Sequence, residues 1–420
     1  MIVEFSVKNF RSIKDMQTIS FRATKLNSNP KEHPDVDKNN VVEVGGMRLL
    51  KTVGIYGANA SGKSNVLMAL RLFSIAINAG AVPNDRQLAV LYKPFLFQES
   101  PEKTDVFFQI VVELEEKKYR YGFTVSKVDS NDLISPKYII SNEWLYGTKD
   151  KNQGKYFVRE GIKVDKKSLP NAENIPPIPH PHALFLTHAC SFIAHGIIHK
   201  IRNFCAGIYG NYLNNESLAP VFSIKDIGYG DYKQRLIEFM SMFDLNYSDV
   251  YVEEQAKLKH DYKREYVWLK KHSKEVNLEI HESEGTKKLF DIAGLLLFGF
   301  KERKRLITPF LFTLDEIDSN FHPALVIKLV QMFNDPEINK TNAQLLFTSH
   351  DTNLLDPAIM RRDQFYFTEK DEQDATRLYS LADLKGIRND ADFARQYLAG
   401  YYGAVPMLKD FKNELIAENV

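Results

Sequence analysis

The sequence predicts an α/β fold with a mostly parallel core sheet, an antiparallel β lobe and an insertion of mixed, largely helical structure. Three observations carry that expectation. A Gly-rich loop near the N-terminus lies between a short apolar run and a helical pattern. Two alternating segments joined by a charged turn follow it, as in a β-hairpin. Beyond residue 281, apolar strands alternate with helices, the pattern of a parallel sheet covered on its faces. The core sheet is therefore assembled from both ends of the chain.

The opening segment MIVEFSVKNFRSIK sets Val3, Phe5 and Val7 against Glu4, Ser6 and Lys8, which predicts a half-buried strand. Residues 52–56 form an apolar strand, and a helix is expected from Lys63 to about Ala79. Residues 105–114 and 119–126 read as the hairpin, closed by EEKK. Strands at 138–145 and 155–159 flank a predicted loop, GTKDKNQG. The Pro-rich run PNAENIPPIPHPH then opens a stretch with helical patterns such as 232–243. A helix at 286–300, a strand at 309–314, a helix after His322-Pro323 and a strand at 344–349 complete the pattern. The expected division is 1–164 and 281–384 for the two parts of the core domain, 165–280 for the insertion and 385–420 for a tail.

Composition excludes more than it assigns. Hydrophobic residues make up 44% and charged residues 26% of the 420, ordinary values for a globular protein. A net charge of +1 gives no global attraction to nucleic acid or an anionic membrane, although a local patch such as KERKR (301–305) could bind DNA. Two cysteines, Cys190 and Cys205, leave no disulfide framework. The longest apolar stretch, IAGLLLFGF at 292–300, falls short of the roughly 18 residues of a membrane span and reads as a buried helix. A cytoplasmic protein without membrane contact is expected.

GANASGKS, residues 57–64, matches the phosphate-binding loop G-x-x-x-x-G-K-[ST] in full. Glycines let backbone N–H groups close on phosphate oxygens at a helix N-terminus. Gly57, Asn59, Ala60, Ser61, Gly62, Lys63, Ser64 and Asn65 are the expected ATP-binding set, with Lys63 on the β- and γ-phosphates and Ser64 on magnesium. LFTLDEID, residues 311–318, is an apolar strand ending in acids; Asp315 suits the magnesium shell, and Glu316 suits a base that polarises the attacking water. In FTSHD, His350 ends the next strand, where it can sense the γ-phosphate. In ESEGTKK, residues 282–288, Ser283, Gly285 and Thr286 open a helix and could present a hydroxyl and N–H groups to an anion. Arg11, in KNFRSIK, is placed to reach phosphate oxygens beside the loop. His180, His182, His188 and Cys190 match no zinc spacing, and Gln98 and Gln109 compete for a glutamine-loop role.

With KNFRS, GANASGKS, S-E-G-T, LDEIDSNFHP and FTSHD in that order, the chain resembles the Rad50/SMC/RecF-like branch of ABC ATPases. More narrowly, ESEGTKKLF, AQLLFTSHDTNLLD, RRDQFYFTEKD and YLAGYYGAVP resemble ATPases of the AbiL/RloA type from bacterial abortive-infection and restriction-associated loci. The resemblance implies an ABC-type head in which the S-E-G-T signature completes the ATP site of a second protomer. It implies a homodimer through composite ATP sites, or a higher oligomer, with Asp318 in the D-loop crossing the interface. It also implies a regulator of anti-phage defence acting on a separately encoded effector, a nuclease or Toprim-like protein. The alternative is a RecF-like DNA-binding ATPase of repair. Long coiled-coil arms and a Toprim domain are both missing from the pattern, which sets the chain apart from Rad50, SMC and OLD-type proteins.

Overall fold

A computed structural model describes residues 1–26, 28, 35–78, 85–128, 137–149, 152–211, 227–228, 230–255, 264–300 and 310–406. The basic run at 301–305, Ala79, Pro309 and the last part of the tail, 407–420, lie outside the described residues.

The core sheet has six strands, ordered β11 (Ile208–Asn211), β15 (Leu311–Leu314), β16 (Gln344–Thr348), β5 (Thr52–Gly57), β17 (Phe365–Lys370) and β18 (Thr376–Ser380). All neighbours are parallel except β17 and β18. Every residue of β5, β15 and β16 is buried, as expected of parallel strands covered on both faces. Alternation divides them between two cores. Val53 and Ile55 join one cluster and Tyr56 the other. Gly54 is needed beside them, because a Cβ there would come within 2.6 Å of the Phe347 ring.

A second, antiparallel sheet has seven strands. Its order is β10 (Lys163–Asp165), β9 (Asn152–Glu160), β8 (Tyr138–Lys149), β7 (Lys117–Lys127), β6 (Val106–Leu114), β1 (Ile2–Lys8) and β2 (Gln17–Ser20). Helix α2 (Lys63–Asn78) lies between the two sheets, so nearly its whole circumference is buried, Phe73 and Leu70 completely. The short helices α3 (Asp85–Leu91), α4 (Phe185–Ala189) and α5 (Ile197–Ala206) pack around it. A hairpin of β3 (Val41–Val44) and β4 (Met47–Leu50) follows α1 (Val36–Asn40). On the opposite face of the core sheet lie α6 (Tyr232–Ser241), α8 (Glu284–Gly299) and α9 (Pro323–Asn334). There α7 (Leu278–His281) follows a small sheet of β12 (Asp249–Gln255), β13 (Arg264–Lys271) and β14 (Lys274–Asn277); α10 (Phe393–Leu398) packs Phe393 on Phe365.

The α/β fold, the mostly parallel core and the antiparallel lobe agree with the sequence pattern; several details do not. A bulge between Ile2 and Glu4 breaks the alternation of β1. Ile2, Phe5 and Val7 therefore face the main core, while Val3 turns to a separate cluster with Met1, Leu49 and Val111. The expected loop GTKDKNQG is mostly strand, since β8 reaches Lys149 and β9 starts at Asn152. Segment 165–280 does not stand apart either. Its β11 forms the edge of the core sheet, and it carries β12–β14 as well as helices. Among the described residues no helix is long and apolar enough to cross a membrane.

A buried polar knot ties this segment to the lobe. Glu143 on β8 and Arg159 on β9 are register partners and wholly buried. The Glu143 carboxylate accepts from the N–H groups of Phe185 (2.6 Å) and Leu186 (2.8 Å) and the Tyr121 hydroxyl (3.0 Å), and it pairs with Arg159 at 3.4 Å. Arg159 donates in addition to the carbonyls of Gly161 (2.6 Å), Pro181 (2.8 Å) and Ala183.

Candidate nucleotide-binding site

The loop after β5 is shaped by close approach. Gly57 (φ +151°) and Gly62 (φ +108°) adopt conformations L side chains rarely take, and a Cβ at either would strike Thr368 or Thr376. The Ser61 and Thr368 hydroxyls are 2.6 Å apart, and Thr376 Oγ1 donates to the Ser61 carbonyl at 2.8 Å. Asn59 and Ala60 stay exposed at the rim, Ala60 with φ +63°. The loop therefore ends at the N-terminus of a 16-residue helix, a favourable place for anions. Lys63 Nζ donates to the carbonyls of Gly57 (2.8 Å) and Ala58 (3.0 Å). Burial lowers its pKa, while Asp315, Glu316 and Asp318 pull it upward.

The acids arrive on the neighbouring strands. Ser64 Oγ donates to Asp315 Oδ1 at 3.0 Å, and Thr348 Oγ1 donates to the same oxygen at 2.6 Å. The Thr348 hydroxyl also accepts the Glu316 N–H at 2.7 Å. Leu314 pairs with Phe347 in register, so the hydroxyl at the end of β16 falls beside the turn after β15. Glu316 sits at φ +48° with its side chain exposed. Ser64 and Asp315 thus converge two hard oxygen ligands within 3.0 Å of each other, a donor set that fits magnesium completed by phosphate and water.

His350 and Asp318 meet in the same chain. The backbone N–H of His350 lies 3.3 Å from each Asp318 carboxylate oxygen. Burial first and Lys63 second hold the imidazole pKa below its usual value, against the pull of three carboxylates, which favours the neutral form.

Ser283 caps α8: its Oγ accepts the Thr286 N–H at 3.2 Å and lies 3.0 Å from Thr286 Oγ1. The serine is exposed, and among the described residues no hydrogen bond joins it to the phosphate loop. Gly285 packs on the turn after Glu316, where a Cβ would approach the Asn320 carbonyl to 2.5 Å. Lys288, one turn further along α8, was missed by the motif reading. Its Nζ donates to the carbonyls of Glu316 (2.8 Å), Ser319 (2.9 Å) and Ile317 (3.3 Å) and to Ser319 Oγ (2.8 Å). It also lies 4.9 Å from the centre of the Phe321 ring.

The N-terminal turn is tied to α2 by Ser12, whose hydroxyl accepts from Asn65 Nδ2 at 2.6 Å and lies 2.8 Å from Thr376 Oγ1. The Arg11 guanidinium rests on Met68 Sδ, a turn along α2, and lines a cleft of about 610 Å³ with Asn65, Leu72, Phe95 and Phe97. Gln98 bonds Asn9 and Thr104, and Gln109 accepts from Trp144, so both glutamines serve the β lobe. His180 and His182 stack on each other, and His188 contacts the Pro176 carbonyl.

A family model described as "AAA domain, putative AbiEii toxin, Type IV TA system" matches residues 53–356. That span runs from the strand before the phosphate loop to just past His350. No curated protein matches the chain. Among solved structures, the recombination mediator protein RecF with ATPrS is 14% identical, covering 90% of this chain and 98% of its own, with a TM-score of 0.33. RecF with ATP is also 14% identical, covering 83% and 93%, with a TM-score of 0.30.

Proposed function

The chain belongs to this family of AAA domains, and on that premise we propose that it is an ABC-type ATPase that hydrolyses ATP as a homodimer. The observation that carries the reading is the Thr348 hydroxyl. It joins Asp315, which also meets Ser64 of the phosphate loop, to the backbone of Glu316. The loop N–H groups and Lys63 hold the β- and γ-phosphates, Lys63 exchanging its bonds to Gly57 and Ala58 for bonds to phosphate oxygens. Ser64 and Asp315 would hold magnesium, which would supply positive charge against the charge developing on the phosphate. Glu316 accepts a proton from the attacking water, and neutral His350 orients it. Adenosine leaves the loop along α2 into the cleft lined by Arg11. Ser283 and Gly285 of a second copy close over the γ-phosphate, which accounts for a signature serine that, among the described residues, hydrogen-bonds within its own helix.

ATP turnover and solution mass of the wild type and Glu316→Gln test this. We expect turnover to fall about 10²- to 10⁴-fold in the variant, with an ATP-stabilised dimer accumulating. A variant that turns over normally removes Glu316 as the base. The toxin–antitoxin description of the family and the AbiL/RloA-like motifs support a cytoplasmic regulator of anti-phage defence controlling a separately encoded effector, a nuclease or Toprim-like protein. Equal phage plating on cells carrying the wild-type or the Glu316→Gln locus would end that reading. DNA-stimulated turnover with a steep salt dependence would move it to a DNA-repair ATPase.

A further inference from the structure

Within one chain, Ser283 caps α8 and, five residues on, the helix bears Lys288. The lysine reaches across to the turn carrying Glu316, Asp318 and Ser319. Four oxygens of that turn, three of them backbone carbonyls, converge on one Nζ within 3.3 Å. Three N–H bonds cannot fully serve four acceptors, so the group is shared among them and clamps the turn as a whole. The Phe321 ring covers the ammonium group, and burial pushes its pKa down to about 8 against the opposing pull of Asp318, Glu316 and Asp315. Gly285 fits against Asn320 of the same turn, a second contact between the two pieces.

The turn has left-handed backbone at Glu316 and again at Asn320, and its own closing bond runs from the Ser319 N–H to the Glu316 carbonyl at 3.0 Å. Lys288 adds a second donor to that carbonyl and donates as well to those of Ile317 and Ser319. A surface lysine would serve its charge as well from many positions; this one is aimed at main-chain oxygens, so its work is to fix backbone geometry.

We infer that Lys288 is a positioning residue that makes the signature helix and the turn bearing Glu316 move as one body. On the dimeric reading above, on which this rests, Ser283 serves the nucleotide of the other copy and Glu316 serves its own. A shift of Ser283 on engaging one γ-phosphate then passes through Lys288 to Glu316 beside the other, and the two sites fire in concert.

The test compares wild type, Lys288→Met and Lys288→Arg in full-length protein. It measures ATP turnover against ATP concentration, thermal melting, and hydrogen exchange of the 316–321 turn. Lys288→Met is expected to lower kcat about tenfold or more with KM within about threefold, and to bring the Hill coefficient to about one. Exchange in the turn should rise while the melting temperature stays close to wild type. Lys288→Arg, which keeps the donors, should recover a good part of kcat. Wild-type kcat and Hill coefficient in Lys288→Met would overturn the inference, as would a loss confined to KM or a failure of arginine to rescue. If wild type itself proves inactive, the hydrolysis reading fails separately. Exchange at 316–321 still decides the lysine's role, because an unchanged turn in Lys288→Met overturns it.

Discussion

Two clusters in this molecule use nearly the same side chains to opposite ends. At Glu143 a carboxylate, a cation and a hydroxyl are wholly buried, and the carboxylate meets four donors. At the end of the core sheet, Asp315, Glu316, Lys63, Ser64 and Thr348 also combine carboxylates, a cation and hydroxyls. There Glu316 is exposed, and Lys63 spends its bonds on carbonyls of its own loop. The first cluster has nothing left to offer a ligand. The second keeps its bonds exchangeable, and positive φ at Ala60 and Glu316 holds its backbone open. Saturation of hydrogen bonds, rather than residue type, separates the fastener from the proposed nucleotide site.

Mutations sharpen that contrast. Arg159→Met should destabilise the fold by about 3–5 kcal/mol, since it strands a buried carboxylate. Chemical denaturation would show it, and the ATP KM of the surviving folded protein should match wild type. A small loss would mean the knot is not a fastener. Thr348→Val keeps the volume but removes the link between Asp315 and the Glu316 N–H. A loss of about 1–3 kcal/mol of transition-state stabilisation is expected, read as a roughly ten- to hundredfold fall in kcat/KM. Unaltered kinetics would show that the hydroxyl plays no part in placing the acids.

A third test concerns Asp291 on α8. Burial, aided by Glu279, raises its carboxyl to about 7. The unfolded carboxyl titrates near 4, so the folded state gives up stability as pH climbs from about 4 to about 7, and none further above that. Asp291→Asn should therefore be more stable than wild type at about pH 8, by at most about 4 kcal/mol, with the gain vanishing near pH 4. Equal melting temperatures at about pH 8 would show that the carboxylate is well solvated in the fold.

Much of the fold and part of the candidate site could be read from the sequence, for a definite reason. The phosphate loop and the Asp315–Glu316 pair are local patterns whose spacing follows from one strand and one turn, so eight or fewer residues suffice to display them. Thr348 and Lys288 act through partners 33 and 28 residues away, fixed only when β16 enters beside β15 and α8 docks on the turn. Strand β11 hides for another reason. It has four residues, and Gly210 among them weakens any strand pattern, yet a Cβ there would strike Thr313 of β15. The bulge in β1 carries no signature in MIVEF, so simple alternation puts Val3 on the face of Phe5 and Val7, which the structure does not.

The placement of β5 has a consequence for how the protein comes into being. Its partners on either side, β16 and β17, begin at Gln344 and Phe365. During synthesis the strand that leads into the phosphate loop emerges nearly three hundred residues before anything it can pair with. Until then only α2 and the antiparallel lobe can shelter it, and such distant pairings are slow to close. A ribosome-bound chain halted before Gln344 would carry the whole GANASGKS sequence and no pocket for ATP. Competence to bind nucleotide is thus a late event in the life of each copy, reached only after β16 and β17 have been made.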